Sequence, residues 1–146
     1  MPAMAVMGEK RLVHIGLDTH KYKRGLLAVV AGTMPGAAML AAQAALRSGA
    51  GYVKLLSDHS HPDAPAELVI EEGDLAERLS DERIGALLVG PGLGRDEAAR
   101  DRLCAVLETR KSCVLDADAL HLLCPDLLEG CDATRLLVTP HEGELA

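Results

Sequence analysis

The stretch GLLAVVAGTMPGAAMLAAQAALRSGAGYVKLL, residues 25–56, decides the fold. Its segment LLAVVA, residues 26–31, is continuously apolar, which is typical of a strand buried on both faces of a parallel sheet. After the turn GTMPG, residues 37–47 predict a helix that is apolar on nearly all sides, so we expect it to be buried. Gly49 ends this helix, and residues 52–56 predict the next strand.

Strands and helices continue to alternate along the rest of the chain. Further strands are predicted at residues 86–89, 113–115 and 136–138, and residues 68–70 could form one more short strand. Helical segments are predicted at residues 74–79 and 96–109, and a helix or a pair of turns at residues 119–128. Strands that are joined by helices need crossover connections, which give a mainly parallel sheet with right-handed crossovers. The sequence therefore predicts an α/β fold of about five strands, and its 146 residues suit one domain.

Composition and charge exclude several classes of protein. The chain has no Phe or Trp, only two Tyr and a formal net charge of −7, so it lacks the aromatic platforms and the basic surface of a nucleic-acid binder. The short basic cluster of Lys21, Lys23 and Arg24 is either a solvated loop or a phosphate contact. Glycine and proline interrupt the apolar region 26–46, and the N-terminus lacks the apolar core of a signal peptide. We expect neither a membrane span nor secretion.

The cysteines and two of the histidines argue against disulfides and metal. None of the four cysteines belongs to a C-x-x-C pair, which favours structural thiols in a reducing cytosol and a cytoplasmic protein. His59 and His61 lie in a polar loop without a nearby third ligand, so we expect no metal site there. His121 has no evident partner in the sequence.

Four short motifs each follow a predicted strand. They are GTMPGA (32–37), GPGLGRD (90–96), DADAL (116–120) and TPHEGE (139–144). Ligands of open parallel sheets bind outside the carboxyl ends of the strands, so we expect a functional site at this edge. Small residues in the first two motifs let backbone N–H groups approach a ligand, and the helix start after GTMPGA favours negative charge. Each of these two motifs also fits a tight turn with special dihedral angles.

Carboxylates and one histidine are the chemically active residues in the other two motifs. Asp116 and Asp118 are a pair that could hold a metal ion, orient a hydroxyl group or cap the next helix. His141 is the better candidate for a ligand contact, because Glu142 and Glu144 also suit the first turn of a helix electrostatically.

Five segments in this order resemble the ATP- or ADP-dependent NAD(P)H-hydrate dehydratases, which are ribokinase-like proteins related to carbohydrate kinases. The segments are HKYKRG (20–25), MPGAAMLAAQAALRSGAG (34–51), VGPGLGRD (89–96), VLDADALHLL (114–123) and VTPHEGELA (138–146). The resemblance implies a three-layer α/β/α fold and a lyase that repairs nicotinamide cofactors. ADP or ATP, with Mg²⁺, would phosphorylate the hydroxyl of the 6S hydrate of NADH or NADPH, and elimination of phosphate would restore the double bond.

The resemblance also implies which residues bind the hydrate. The contacts would be Ala37 in PGAA, Gly92 in GPGLG and His141 in TPHEGE. Supporting roles would fall to five further residues at the same strand ends: Gly36, Gly94, Asp116, Asp118 and Glu144. His121 is a departure, because the family usually has Asn there, and we expect only a local change.

The family pattern continues past the last residue of this sequence. The resemblance implies that residues 20–146 are the N-terminal half of the domain and that residues 1–19 are an N-terminal extension. The catalytic Asp would come from a GSGD-type loop beyond Ala146, so we expect no catalytic residue among these residues and no activity of the chain alone.

Two other functions stay open. One is a ribokinase-like small-molecule kinase of the hydroxymethylpyrimidine or thiazole type, since fold alone does not separate it from a dehydratase. The other is a non-catalytic nucleotide-binding or oligomerisation module. Under the leading hypothesis the partners are small-molecule nucleotide substrates, without nucleic acid or membrane, and the protein is a homo-oligomer, with a tetramer as one option.

Overall fold

Six parallel strands form one sheet in the computed structural model, which describes residues 25–145. The strands are β1 (Leu26–Val30), β2 (Tyr52–Leu56), β3 (Val69–Glu71), β4 (Ile84–Val89), β5 (Ser112–Leu115) and β6 (Leu136–Val138). Their order across the sheet is β3-β2-β1-β4-β5-β6, and every neighbouring pair is parallel. The predicted mainly parallel sheet is therefore confirmed, and the carboxyl ends of all six strands share one edge.

The helices agree with the predicted segments. They are α1 (Pro35–Arg47), α2 (Leu75–Leu79), α3 (Glu97–Glu108), α4 (Asp118–Leu122) and α5 (Pro125–Leu128), with 3-10 turns at Ala133–Arg135 and Glu142–Glu144. Of the two options for residues 119–128, the structure has the pair of turns, as two short helices, because Pro125 lacks an N–H group and disfavours a helical residue before it. Asp96 caps α3 by accepting a hydrogen bond from the Ala99 N–H group.

Two apolar cores lie on opposite faces of the sheet, as the continuously apolar β1 predicted. Alternate residues of β1 point to opposite faces. Ala28 and Val30 join the core beneath α3, whereas Val29 joins the core beneath α1. Helix α1 covers one face, and α2 and α3 lie together on the other. This gives the three layers α/β/α.

The expectation that α1 would be buried on all sides is wrong. Ala38 and Ala42 are fully buried against the sheet, whereas Leu40 is 68% exposed. The small side chains of α1 let its backbone approach the sheet closely, and no second layer of described residues covers its outer side. The helix starts with Pro35 at its first turn and ends before Gly49, whose φ of +95° suits glycine.

The face of the sheet that α1 covers becomes open toward β6. Val29, Leu88, Val114 and Leu137 lie side by side in adjacent strands. Val29 is fully buried, Leu88 and Val114 are half-buried, and Leu137 is 59% exposed. Within residues 25–145, this apolar row is covered at one end only.

Some expectations fall outside the described residues. The extension at 1–19 and the basic cluster of Lys21, Lys23 and Arg24 lie there, as does nearly all of the segment 20–25. Among the helices of residues 25–145, none has the length and apolar character that crossing a membrane requires.

Candidate functional site at the carboxyl edge of the sheet

The turn after β1 is joined to the loop after β4 by backbone contacts. Thr33 N–H donates to the Leu93 carbonyl at 3.3 Å, and Met34 N–H donates to the Gly92 carbonyl at 2.9 Å. Gly32 lies so close that a Cβ atom there would be 2.1 Å from the Leu93 carbonyl oxygen. The first two motifs therefore form one continuous backbone surface.

Ala37 and Gly92, two of the three predicted hydrate contacts, lie against each other. Gly92 is buried and has a φ of +65°, and a Cβ atom on it would lie 2.2 Å from the Met34 carbonyl oxygen and 3.0 Å from Ala37 Cβ. Only glycine fits this position, because other residues rarely adopt this positive φ and because a Cβ atom would clash with the Met34 carbonyl. Gly36 is exposed, and a Cβ atom on it would meet nothing within 4 Å. The edge next to Ala37 is thus open on the side of Gly36.

Asp118 joins the DADAL motif to the GPGLG loop. Its Oδ2 accepts from Gly94 N–H at 3.0 Å, and its Oδ1 accepts from Arg95 Nε at 2.8 Å. The hydrogen bond from Arg95, with the further bond from Gly94, lowers the pKa of Asp118 below its ordinary value, although burial opposes this shift. Asp118 does not cap α4 with its side chain, since the N-cap is Ala117 and has no side-chain bond. The Asp118 carboxylate instead anchors the loop after β4 through Gly94 and Arg95.

Asp116 connects the ends of β4 and β5 through hydrogen bonds of its backbone. Its N–H donates to the Val89 carbonyl at 3.2 Å, and its own carbonyl accepts from Ala119 N–H at 3.1 Å. A Cβ atom on Gly90 would lie 1.7 Å from the Asp116 carbonyl oxygen, so β4 and β5 end in close contact. No group of three or more His, Cys, Asp or Glu side chains within residues 25–145 is arranged to hold a metal ion. The described residues alone therefore do not support the metal option for the Asp pair.

Glu144 stands between two histidines. Its Oε2 accepts from the His141 backbone N–H at 3.0 Å, and its Oε1 lies 3.3 Å from His141 Nε2 and 4.0 Å from His121 Nε2. The Glu144 side chain is only 7% exposed, whereas that of His141 is 73% exposed. Gly143 N–H donates to His141 Nδ1 at 2.9 Å, which completes a capping box around the turn Glu142–Glu144.

The contacts connect the predicted site residues in one row. Ala37 meets Gly92, Gly94 binds Asp118, and Asp118 lies one helical turn before His121, which faces Glu144 beside His141. All of these residues lie at the carboxyl ends of β1, β4, β5 and β6. From the sequence we could predict that each motif follows a strand. The order of the strands in the sheet brings the four motifs next to one another.

Sequence reasoning missed four residues that support this edge. His59 Nε2 lies 3.1 Å from the Gly32 carbonyl oxygen, and Arg102 Nη1 donates to the Ala31 carbonyl at 2.7 Å. Arg95 binds Asp118, and His121, which had no evident partner in the sequence, faces Glu144. The adjacency of Arg95 to the glycine loop was the one local signal. The other contacts join residues that are far apart in the chain.

Comparison with known proteins points to a single family. A family model described as NAD(P)H-hydrate dehydratase matches residues 27–146. The ADP-dependent (S)-NAD(P)H-hydrate dehydratase of Neisseria meningitidis is 38% identical over 145 residues, which cover 88% of this chain and 47% of that protein. The chain spans between about a quarter and about a half of the length of the curated relatives it matches.

Solved structures agree on the fold. A ribokinase-like superfamily protein from Enterococcus faecalis matches with a TM-score of 0.75 over 89% of this chain and 50% of that chain, at 23% identity. The ADP/ATP-dependent NAD(P)H-hydrate dehydratase of Bacillus subtilis, co-crystallised with ATP and Mg²⁺, matches with a TM-score of 0.64 and 26% identity over 90% of this chain and 49% of that chain. The ribokinase-like α/β fold is confirmed.

Proposed function

The chain belongs to the NAD(P)H-hydrate dehydratase family, and from this membership we propose that it forms the hydrate-binding side of an ADP- or ATP-dependent dehydratase. The reaction transfers a phosphoryl group from the nucleotide to the hydroxyl group of the 6S hydrate of NADH or NADPH. Elimination of phosphate then restores the double bond of the nicotinamide ring. The product is the repaired cofactor.

The observation that carries this proposal is the continuous row of site residues from Ala37 to His141. The glycines of the loop after β4 lie in the left-handed region and carry no side chain that would separate the loop backbone from a substrate. His141 is well exposed at the other end of the row and carries an imidazole donor. We therefore place one substrate along the carboxyl edge of β1, β4, β5 and β6, next to Ala37 and Gly92 at one end and the imidazole of His141 at the other.

Asp116 is the better placed of the two aspartates for a polar contact with a ligand. Each oxygen of the Asp118 carboxylate already accepts a hydrogen bond, Oδ1 from Arg95 and Oδ2 from Gly94. Asp116 is half-buried and lies two residues before Asp118, at the end of β5. We assign Asp118 to the support of the glycine loop and Asp116 to orientation of a hydroxyl group.

The nucleotide is ADP or ATP, and the relatives support this choice because their names specify ADP, or ADP and ATP. Mg²⁺ belongs to the proposal only as a partner of the nucleotide phosphates, since residues 25–145 contain no cluster that fits a metal ion by itself. No step proposed for these residues uses it.

The phosphoryl-transfer step needs an acidic residue and an anion hole, which we place outside the described residues. Preorganised donors at the transferred phosphoryl group are the main source of catalysis in such reactions. None of the contacts in the row from Ala37 to His141 supplies such a set. The chain by itself is therefore proposed to bind hydrate without turning it over.

Two variants of α1 test the proposed binding. Ala37→Leu places a larger side chain against the Gly92 loop, and we expect it to abolish binding of hydrated NADPH measured by titration calorimetry. Ala44→Leu adds the same volume at an exposed position of the same helix and should bind like the unsubstituted chain. Equal binding by both variants, or no binding of hydrate by the unsubstituted chain, would contradict the proposal.

A turnover assay distinguishes hydrate binding alone from dehydratase activity and from small-molecule kinase activity. With hydrated NADPH and ADP, we expect no NADPH from the 146-residue chain alone, as followed by absorbance of the reduced nicotinamide ring. Full turnover by this chain would show that the catalytic residue lies within it. A phosphorylated product that accumulates without elimination would favour a small-molecule kinase.

A further inference from the structure

The turn after β1, residues 32–34, leads directly into the helix that carries Ala37. Met34 is the N-cap residue of this helix, where Ser, Thr, Asp or Asn would accept a hydrogen bond from the first helical turn. The thioether of Met34 is only a weak acceptor, and Gly32 has more backbone freedom than any other residue type. The shape of this turn therefore depends on groups that lie elsewhere in the chain.

Two side chains from other elements bind consecutive carbonyl groups at the point where β1 ends. Arg102 of α3 donates from Nη1 to the Ala31 carbonyl at 2.7 Å. His59, in the loop after β2, forms a hydrogen bond from Nε2 to the Gly32 carbonyl at 3.1 Å. Because a carbonyl oxygen only accepts, His59 Nε2 carries the hydrogen. The two donors lie 71 and 27 residues from their acceptors in sequence, so they restrain the turn from outside.

The loop that carries His59 is itself anchored to the sheet. Ser57 is 1% exposed, and its N–H group donates to the Glu71 carbonyl of β3 at 3.0 Å. Its Oγ accepts from the His59 backbone N–H group at 3.2 Å and is hydrogen-bonded to His61 Nε2 at 2.8 Å. These bonds fix the backbone at His59, which lowers the entropy that its exposed side chain loses when it binds Gly32.

The restrained turn is in direct contact with the proposed binding surface for the hydrate. A Cβ atom on Gly32 would lie 2.1 Å from the Leu93 carbonyl oxygen, so these two backbones touch. Met34 N–H donates to the Gly92 carbonyl at 2.9 Å, and Gly92 lies against Ala37. A displacement of the turn would therefore break the bond to Gly92 and change how Ala37 and Gly92 face a ligand.

We propose that His59 and Arg102 are positioning residues, which hold the turn after β1 in the shape that presents Ala37 and Gly92 to the hydrate. This inference rests on the proposed function, since it assigns the hydrate to those two residues. Neither positioning residue is given a contact with the hydrate or a proton transfer. When a donor is removed, the turn opens more often, and the apparent affinity falls with the fraction of molecules that keep the binding shape.

Amide hydrogen exchange of the free chain, followed by NMR, tests the restraint without any ligand. His59→Leu removes one neutral donor, so the Met34 amide should exchange about fivefold faster, while His59→Gln keeps an N–H donor and should stay within about twofold. Arg102→Met removes a charge-assisted bond and should raise the rate about tenfold. Arg100→Met changes an exposed arginine of the same helix and is the control, with no change expected. The Asp116 amide, which binds the Val89 carbonyl, should be unaffected throughout.

Two outcomes of the exchange experiment would overturn the proposal. One is equal Met34 exchange in His59→Leu and His59→Gln, which would show that the donor is not what restrains the turn. The other is a rise at Asp116 as large as the rise at Met34, which would show a general loss of stability instead of a local effect.

Affinity for hydrated NADPH, measured by titration calorimetry, tests the consequence for binding. The double variant His59→Leu/Arg102→Met lacks both donors and should bind at least about fivefold more weakly, whereas His59→Gln should bind within about twofold of the unsubstituted chain. Unchanged affinity of the double variant would overturn the positioning role. Failure of the unsubstituted chain to bind hydrate would instead contradict the proposed function, and the exchange rates would still test the restraint of the turn.

Discussion

Asp118 is the best place to test the site by its effect on stability. Its carboxylate binds two consecutive residues of the loop after β4, which lie 23 and 24 residues away in sequence: Arg95 through Nε at 2.8 Å and Gly94 through its N–H group at 3.0 Å. The two hydrogen bonds contribute differently to the free energy of unfolding. The Arg95 side chain is 60% exposed, so this ion pair contributes only about 0–1 kcal/mol. The Gly94 N–H group would lose its acceptor in a half-buried loop, which costs about 1–3 kcal/mol.

Asp118→Ala is therefore expected to lower the free energy of unfolding by about 2 kcal/mol. Asp118→Asn keeps an oxygen that can accept from Gly94 and should cost about 1 kcal/mol, while Arg95→Ala should cost less than about 1 kcal/mol. Urea unfolding followed by far-ultraviolet circular dichroism measures all three, since the chain has no Trp for fluorescence. A loss in Asp118→Ala no larger than in Arg95→Ala would refute the role given to the Gly94 bond.

The contribution of the Asp118 carboxylate to the free energy of unfolding should decrease as the pH falls. The bond from Arg95 lowers the pKa of Asp118 in the folded chain, so the unfolded chain binds its proton first as the pH falls. The contribution of Asp118 to stability is complete above the ordinary aspartate pKa of about 3.9 and is lost as the pH falls through the lower folded value. The difference between the unsubstituted chain and Asp118→Asn should therefore shrink below about pH 4. A difference that is constant down to the acid-unfolding limit would contradict this account.

Three further predictions concern other positions. Gly32→Ala places a Cβ atom 2.1 Å from backbone of the glycine loop, so it should destabilise the chain by more than about 2 kcal/mol in the same urea assay. Burial raises the pKa of Cys113 to about 12, whereas a backbone N–H bond and a neighbouring guanidinium lower the pKa of Cys124, so iodoacetamide at pH 8 should label Cys124 first by peptide mass spectrometry. Lys54→Met removes the buried ammonium that lies 2.9 Å from Asp81 Oδ2, and we expect a loss of about 3 kcal/mol on urea unfolding, with a loss below about 1 kcal/mol contradicting it.

Most of the fold could be predicted from local patterns. The apolar run of β1, the helix of α1 and the glycine that ends it are visible within the stretch 25–56, because strand and helix periodicity and turn residues are local properties. The same reasoning found β6 at its observed bounds. It failed for the outer side of α1, where alanine-rich composition says which residues tolerate burial but not how many layers cover them.

The candidate site was predictable as a set of strand ends and not as a set of contacts. The residues Ala37, Gly92 and His141 came from the family resemblance, and their role as hydrate contacts stays a prediction. Their neighbours could not be found this way. Asp118 had three readings in the sequence, and only the position of Arg95 and Gly94 shows that it holds the loop.

The sequence by itself determined that strands and helices alternate, that the sheet is parallel and that small or charged motifs lie at one edge, because each of these depends on neighbouring residues alone. Only the tertiary structure decided which motifs touch. The order β3-β2-β1-β4-β5-β6 sets the glycine loop after β4 between the turn after β1 and the aspartates after β5. That order also brings His121 to Glu144 across 23 residues of chain. Contacts of this kind follow from strand order, which no local pattern contains.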